Sequence, residues 1–493
     1  MAKIITIEAR PLIRWMVVLF LLAPLWLVAA QTGWPALPPA PQWLAALFTS
    51  ILQSLLSTLF SLAIGVWGAF GLCLFRRPVW CTAMELLVLL PVWLPTLFVL
   101  LGILNFITLW ARFPFGLLGV VLVHVWINAG LVAVALARLM RARLGGQIEL
   151  AWVEGASRWQ FLRRCLWPQL RREFFLLGVV VFSFCLTSLA VPLIAGGPQA
   201  TTLDVYAFQQ VQFGQGLKYA VGIAWLELLL LATLGRLAAR PSSVRRQVVV
   251  NLRFLSSITG LTVVLSLSLI LLGASGWSWP QGWQQYQSIP ELHEVFAQTL
   301  WGTIAISMGT GLAIAGLSAL TLYALPHLGF RRWLLSLSSP STMLVGLSLF
   351  ALGPALGMVV WLKLILGLSL ICFPALYRWL IDSSAEALQN QIQVARTLGA
   401  SWGKIWRQIT LPQVAPEIGL AAALAALWAA GDFALSGLIA SQDLTLAMVI
   451  EGLLSSYRLE LATWMMGWLM VAGLLVAGAF VGAGYVFGRK FKS

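Results

Sequence analysis

The string Gly399-x3-Gly403-Lys404 is the nearest approach in this sequence to a phosphate-binding loop. Such a loop requires G-x4-G-K-[ST], in which backbone amides cradle phosphate and a hydroxyl group contacts magnesium. Here the spacing is one residue short, and Ile405 stands where the hydroxyl is needed. We therefore predict that this chain does not hydrolyse ATP.

Histidines and cysteines do not suggest a reaction centre either. The three histidines, His124, His293 and His327, are scattered, so neither a metal site nor a nucleophilic triad is predicted. The five cysteines include no C-x-x-C pair and are interpreted as small apolar side chains. We predict no enzymatic activity and no bound cofactor or metal.

The composition is that of a polytopic membrane protein. Of 493 residues, 60% are hydrophobic and 10% are charged, and the mean hydropathy is +0.91. The net charge of +15 does not indicate nucleic-acid binding, because the basic residues fall in short loops between apolar spans. That is where the positive-inside rule places them, so no nucleic-acid partner is predicted.

Ionisable residues inside apolar spans are costly and are therefore functional candidates. We predict that Asp432, Glu227 and Ser188 line a polar pathway, Ser188 being 244 residues before Asp432. Asp432 could instead cap a broken helix, and Glu227 could be paired structurally. Glu85 and Lys363 are expected to extend toward a membrane edge.

A polar segment occurs twice in this apolar chain. Residues 149–173 and 393–417 match at an offset of 244 (393 − 149), with eight identities in 25 positions. Ordinary composition would give about one or two identities. The match indicates an internal repeat.

Both copies predict a helix-turn-helix finger between membrane spans. A short helix should end at a glycine in the left-handed conformation, and a serine two residues later should cap a second short helix. A proline is expected to break that second helix before the next apolar span. The paired positions are Gly155/Gly399, Ser157/Ser401 and Pro168/Pro412.

The finger spacing resembles the E-A-A-x3-G-x9-I-x-L-P loop of permease subunits in binding-protein-dependent ABC importers. The positions that fit in the second finger are Ala395, Gly399, Ile409, Leu411 and Pro412. Those that fit in the first are Glu149, Ala151, Gly155 and Pro168. The departures are Gln393, Val394, Leu150, Cys165 and Trp167. Two such loops in one chain resemble the fused permeases of ferric-iron and thiamine importers.

That resemblance implies a role for the fingers. The helix before each glycine would be a coupling helix that docks on an ATP-hydrolysing subunit, with ATP and Mg bound by that partner. Two copies of the ATPase subunit, a periplasmic substrate-binding protein and membrane lipid are the expected partners. The implied coupling residues are Glu149, Ala151, Gly155, Ser157, Pro168, Gln393, Ala395, Gly399, Ser401, Ile409, Leu411 and Pro412.

The predicted fold is all-α, with about twelve transmembrane helices arranged as two parallel six-helix repeats of the ABC importer permease fold. The repeats are 1–239 and 254–493, joined by a basic cytoplasmic linker at 240–253. Lys and Arg are concentrated on one face, which predicts a bacterial inner-membrane protein with both termini cytoplasmic. Pro95 and Pro340 are expected to kink or break spans three and nine.

Two other functions remain open at this point. A six-plus-six secondary transporter driven by an ion gradient has the same span number and parallel repeat. A membrane-embedded enzyme or scaffold would require clustered polar residues in the spans. The sequence does not choose among iron, thiamine, sulfate and polyamine as substrate.

Overall fold

The computed structural model is all-helical in the residues it describes. These are 11–22, 36–39, 41–75, 77–143, 150–151, 153–212, 217–238, 258–274, 279–325, 330–331, 334–335, 342–352, 358–440 and 443–490. Glu149, Pro340 and the 240–253 linker lie outside them.

The described residues form a succession of helices along the chain. In chain order they are α1 Pro11–Leu22, α2 Gln42–Leu72, α3 Pro78–Val88, α4 Leu90–Trp93, α5 Thr96–Thr108, α6 Leu117–Arg143, α7 Arg158–Phe161, a π-helical turn Leu162–Leu166, α8 Trp167–Leu186, α9 Ala190–Ala195, α10 Leu203–Gln212, α11 Leu217–Ala238, α12 Ile258–Ala274, α13 Trp279–Gln287, α14 Glu291–Ala324, α15 Thr342–Leu352, α16 Val360–Leu376, a π-helical turn Tyr377–Ile381, α17 Asp382–Ala387, α18 Gln389–Thr397, α19 Trp402–Ile405, a π-helical turn Trp406–Thr410, α20 Leu411–Ala430, α21 Ala434–Ile439, α22 Leu446–Ser455 and α23 Leu459–Lys490.

Six helical segments among the described residues are long and apolar enough to cross a membrane. They are Gln42–Leu72, Leu117–Arg141, Glu291–Ala324, Val360–Ala387, Trp402–Ala430 and Leu459–Arg489. Shorter apolar helices, α1, α5 and α12 among them, accompany these segments. The multi-pass membrane prediction is confirmed, and the count of twelve spans stays a prediction.

The chain divides into two compact units that do not follow chain order. The first unit contains Pro39–Tyr206 and Thr233–Trp277. The second contains Met1–Pro38, Ala207–Ala232 and Ser278–Ser493. The first helix of each sequence half is thus placed with residues of the other half. The division into sequence repeats 1–239 and 254–493 is a different one, and it stays a prediction.

Small residues allow the helices of the first unit to approach closely. A Cβ atom on Gly71 of α2 would lie 2.2 Å from the amide nitrogen of Leu261, so α2 and α12 are in backbone contact there. The Trp126 indole N–H of α6 donates to the carbonyl of Leu267 at 2.7 Å. These contacts hold α12 against α2 and α6.

The second unit is built on α14, α20 and α23. Alanines of α20 pack against Val476 and Phe480 of α23 in one buried cluster. Helix α1 also belongs to this unit, and the guanidinium carbon of its Arg14 lies 4.8 Å from the centre of the Phe330 ring.

The long helices α2 and α14 share one burial pattern. An offset of 253 places buried positions of α2 on buried positions of α14. These pairs include Ala46/Thr299, Ser50/Thr303, Gln53/Ile306, Ser54/Ser307, Ser57/Thr310, Ser61/Ile314, Gly65/Ser318 and Gly68/Thr321, and the same offset pairs Leu72 with Leu325, which follows the end of α14.

The pair Ser50/Thr303 makes the same hydrogen bond to the start of a helix in both units. The Ser50 hydroxyl oxygen accepts the amide N–H that begins α10, from Leu203 at 2.7 Å. The Thr303 hydroxyl oxygen accepts the N–H of Leu446 at the start of α22, at 2.9 Å. A free N–H at a helix start needs such an acceptor when it is buried.

Prolines interrupt the third predicted span as expected. Helix α3 ends at Val88, and Pro91 lies within the short helix α4. Pro95 has extended backbone angles, φ −53° and ψ 136°, and α5 begins after it. A proline cannot donate the hydrogen bond that would continue the helix, so the break is local in origin.

Candidate functional site

The second finger begins with α18 and ends in a left-handed glycine. Gly399 has φ +81°, as the sequence predicted. The N–H of Ala400 donates to Ala395 at 3.0 Å, and that of Gly399 donates to Arg396 at 3.0 Å. This pair of bonds is the Schellman motif, which satisfies the last carbonyls of a helix. The Ala395 carbonyl therefore accepts the hydrogen bond that completes the turn after α18.

The first finger repeats this closure. Gly155 has φ +71°, and the Ala156 N–H donates to the Ala151 carbonyl at 2.9 Å. A Cβ atom added to Gly155 or to Gly399 would meet no atom within 4 Å. Glycine is thus favoured at both positions by the backbone angle alone.

The serine caps differ between the two fingers. Ser157 and Gln160 form a capping box, with Gln160 N–H to Ser157 Oγ at 3.3 Å and Ser157 N–H to Gln160 Oε1 at 2.9 Å. Ser401 has the extended backbone of a cap residue but makes no capping bond through its side chain. Lys404 stands where Gln160 stands in the first finger, and lysine has no acceptor to return the bond.

Neither proline breaks the helix that contains it, so that prediction was wrong. Pro168 and Pro412 are each the second residue of a long helix, α8 or α20, that continues directly from a π-helical turn. The residue before each proline donates five residues back, Trp167 to Leu162 and Leu411 to Trp406. We attribute the continuity to the wide π-helical turn, which relieves the clash that proline causes in a regular α-helix.

This continuity connects each finger to the long helix that follows it. The second helix of the second finger runs without a break from Trp402 to Ala430. Two indole N–H groups also tie it to α14: Trp402 donates to Tyr323 at 3.0 Å, and Trp406 donates to Ala319 at 3.1 Å. Displacement of this finger must therefore displace α20 and the end of α14.

Apolar side chains are exposed on both fingers. Leu150 and Val394, equivalent at the 244 offset, are 62% and 58% exposed, and Leu398 is 81% exposed. Gln393 is exposed, Ala395 is half-buried, and Ile392 anchors α18 in the unit. Their exposure leaves these side chains accessible to a partner subunit.

The remaining predicted coupling residues lie behind this surface. Ile409 and Leu411 are half-buried on the helix that leads into α20, and Pro412 is buried whereas Pro168 is exposed. The fingers thus bring the described coupling candidates onto two short segments. Glu149, the one acidic candidate among them, lies outside the described residues.

The pathway candidates occupy helix breaks and a buried helix face. Ser188 lies between α8 and α9, and Asp432 lies between α20 and α21. The Asp432 carboxylate accepts the N–H of Ser436 at 3.1 Å and, at the long distance of 3.5 Å, that of Leu435. Asp432 therefore caps α21, as its alternative interpretation held. Glu227 is buried on α11.

Glu85 lies in a buried cluster of ion pairs, and its extension toward a membrane edge stays a prediction. Its carboxylate is buried in an ion pair with Arg141, and it also accepts a bond from Arg138 Nε at 2.8 Å. Sequence reasoning missed this cluster, as it missed the buried Arg331–Asp382 pair in the second unit. The partners are about fifty residues apart in each case, so no local spacing signals them.

Comparison with known proteins identifies relatives of this chain. It is 25% identical over 403 residues to the thiamine transport system permease protein ThiP of Escherichia coli (strain K12), covering 74% of this chain and 72% of that protein. It is 30% identical over 205 residues to ThiP of Haemophilus influenzae, covering 38% of each chain. It is 32% identical over 151 residues to ThiP of Salmonella typhimurium, covering 30% of this chain and 27% of that protein. No family model matches the sequence, and no solved structure matches it.

Proposed function

This chain is a permease subunit of an ABC importer and a multi-pass inner-membrane protein, and we propose that it forms the translocation pathway for thiamine. The observation that supports this proposal is the similarity to ThiP over 74% of the chain. No observation favours the ion-driven secondary transporter.

The fingers supply the proposed coupling to ATP. Two copies of a separate ATPase subunit would each receive one finger, with the exposed apolar residues Leu150, Val394 and Leu398 in the contact. The left-handed turns at Gly155 and Gly399 would set the angle between the docked helix and the helix that continues into a span. ATP and Mg would be bound by those partner subunits.

The proposed transport cycle uses two states of the permease. ATP binding would draw the two ATPase subunits, and with them the fingers, together, and hydrolysis would release them. A ligand can shift such an equilibrium only through a difference in its affinity for the two states. A periplasmic binding protein would deliver the substrate to the outward-facing state, and the exposed apolar faces of the spans would contact membrane lipid.

A duplicated architecture is part of this proposal. It is supported by the shared burial pattern of α2 and α14, by the π-helical turns at an offset of 244 (406 − 162), and by helix breaks at Ser188 and Asp432 at the same offset (432 − 188). Two parallel six-span repeats, with both fingers and both termini cytoplasmic, would account for all three.

The substrate proposal follows the relatives and is compatible with the charges in the chain. Thiamine is an organic cation, and Asp432 and Glu227 are acidic residues placed at a helix break and on a buried helix face. Ferric iron and polyamines are also cationic, so the substrate assay must include them.

Uptake and copurification test the proposal together. The chain, purified gently from its host, should carry a soluble ATPase in two copies, and vesicles of the complex with its binding protein should accumulate radiolabelled thiamine. Unlabelled thiamine should compete, whereas ferric iron and spermidine should not. Competition by iron or spermidine alone would overturn the substrate, and a chain that transports without any ATPase would overturn the importer mechanism.

The double variant Gly155→Glu/Gly399→Glu tests the fingers. We expect it to lose the ATPase, because both left-handed turns receive a side chain and a charge is added beside each apolar contact. Gly403→Glu is the matched control, since Gly403 lies in the same finger with ordinary helical backbone and open space around it. Equal loss in the control would assign the effect to charge rather than to the turn.

A further inference from the structure

A buried arginine closes the base of the first finger. Arg141 Nη2 donates to the carbonyl of Leu72, the last residue of α2, at 2.7 Å. Arg141 Nη1 pairs with Glu85 of α3, and both side chains are buried. Arg138 also pairs with Glu85, but it is half exposed, and the bond to Leu72 comes from Arg141.

A buried arginine closes the base of the second finger as well. Arg331 Nη2 lies 2.5 Å from Asp382 Oδ1, and Arg331 Nη1 donates to the Leu325 carbonyl at 3.4 Å. The guanidinium carbon lies 5.4 Å from the centre of the Tyr377 ring. Arg331 and Asp382 are 2% and 5% exposed, so this pair is shielded from water.

The two clusters occupy equivalent places. Leu72 ends α2 and Leu325 follows the end of α14, and their offset of 253 (325 − 72) is the one that superposes the burial patterns of these helices. The final carbonyls of a helix have no partner within it and carry partial negative charge. In each unit a guanidinium group donates to a carbonyl at this end of the long helix, that of Leu72 or that of Leu325.

The charges are exchanged between the two units. In the first, the acidic residue follows the long helix (Glu85) and the arginine lies on the helix that leads into the finger (Arg141). In the second, the arginine follows the long helix (Arg331) and the acidic residue begins the helix that leads into the finger (Asp382). The acidic and basic residues have exchanged places, but in both units their ion pair links the end of the long helix, the segment after it and the helix before the finger.

Each connection joins three elements that lie next to a finger in the chain. It binds the end of the long helix, the segment after it, and the helix that precedes the finger. Leu150 of the first finger is nine residues beyond Arg141 (150 − 141), and α18 begins seven residues beyond Asp382 (389 − 382). A buried charge pair holds its geometry because separating its members leaves an uncompensated buried charge.

We propose that Glu85–Arg141 and Arg331–Asp382 are positioning pairs that transmit movement of each finger to the end of the long helix beside it. This inference rests on the proposed role of the fingers in ATP coupling. The joining of the same three elements, rather than the position of either charge, is proposed to transmit the movement. This joining is kept in both units although the acidic and basic residues have exchanged places.

The first test compares Arg141→Gln with Arg138→Gln in the reconstituted complex of permease, ATPase and binding protein. The measured quantity is the number of thiamine molecules transported per ATP hydrolysed. Residues that carry coupling alter it by about twofold to thirtyfold, and we expect Arg141→Gln to lower the ratio within that range. Arg138→Gln should stay within about twofold of the wild type, because it leaves the bond to Leu72 in place.

The second test exchanges the charges of the second unit. Asp382→Asn should lower the same ratio, and the double variant R331E/D382R should restore most of it, because the first unit already contains that order. Thermal unfolding of each purified variant separates lost coupling from lost folding. If the double variant does not fold, the contrast between Arg141→Gln and Arg138→Gln decides the matter.

Two results would overturn the inference. One is an unchanged transport ratio in both Arg141→Gln and Asp382→Asn. The other is an equal loss in Arg138→Gln and Arg141→Gln, which would assign the effect to the charge of Glu85. If the wild type does not move thiamine, the substrate proposal fails separately. The pairs are then tested by stimulation of ATP hydrolysis with the native binding protein.

Discussion

Replacing Gly399 by alanine is expected to weaken binding of the ATPase subunit without creating a steric clash. A Cβ atom at this position would meet no atom within 4 Å. The only obstacle is the backbone angle, φ +81°, which places an L-residue in the left-handed region. The substitution therefore isolates the conformational requirement of the turn.

The expected magnitude follows from that angle. Left-handed backbone costs a residue with a Cβ atom about 1–2 kcal/mol. If docking requires the closed turn, this cost reduces the binding constant by about fivefold to thirtyfold, at 1.4 kcal/mol per factor of ten. Asparagine tolerates the left-handed region better, so Gly399→Asn should lose less than Gly399→Ala.

The assay is titration of the detergent-solubilised permease with its purified ATPase, read by fluorescence anisotropy. Gly403→Ala serves as the control, because Gly403 has helical backbone in the same finger and alanine favours a helix. Wild-type affinity in Gly399→Ala, or equal losses for alanine and asparagine, would refute the argument that the left-handed turn presents the finger.

The other predictions concern the caps and the exposed apolar surface. Ser157→Ala should destabilise the second helix of its finger by about 1 kcal/mol, seen as faster amide exchange over 158–166, whereas Ser401→Ala should change exchange little because its hydroxyl makes no capping bond. Asp432→Ala should lower the free energy of unfolding by about 1 kcal/mol while Asp432→Asn keeps the fold; no difference between the two would remove the capping role. Leu398→Asp and Leu150→Asp should weaken ATPase binding and shift the stability of the isolated permease by less than about 0.5 kcal/mol, and a loss of thermal stability instead would show that these side chains pack within the permease.

Local features of the site were predictable because each depends on one or a few adjacent residues. The left-handed angles at Gly155 and Gly399 follow from a glycine at the end of a short helix, and both were confirmed. Asp432 shows where such reasoning stops, because a carboxylate at a helix break could equally line a pathway or cap the next helix. Its contacts with Leu435 and Ser436 support the cap.

The prolines mark a second limit. Pro168 and Pro412 were predicted to break their helices, yet a π-helical turn lies before each of them and the helix continues. One extra residue in a turn changes neither composition nor periodicity enough to be seen in a sequence. It nevertheless decides whether a finger and its span move as one helix.

The sequence by itself determined the membrane class, the helical character and the position of the two fingers, because apolar composition and residue-level backbone preferences act locally. Only the tertiary structure decided that α12 packs with α2, that Glu85 is buried, and that Arg331 and Asp382 repeat the first ion pair with exchanged charges. The helix packing depends on contacts between residues far apart in the chain, such as Gly71 and Leu261, and the ion pairs depend on groups that meet across about fifty residues. In an apolar interior each of these groups must find a partner, and only the packing of the helices determines which one is within reach.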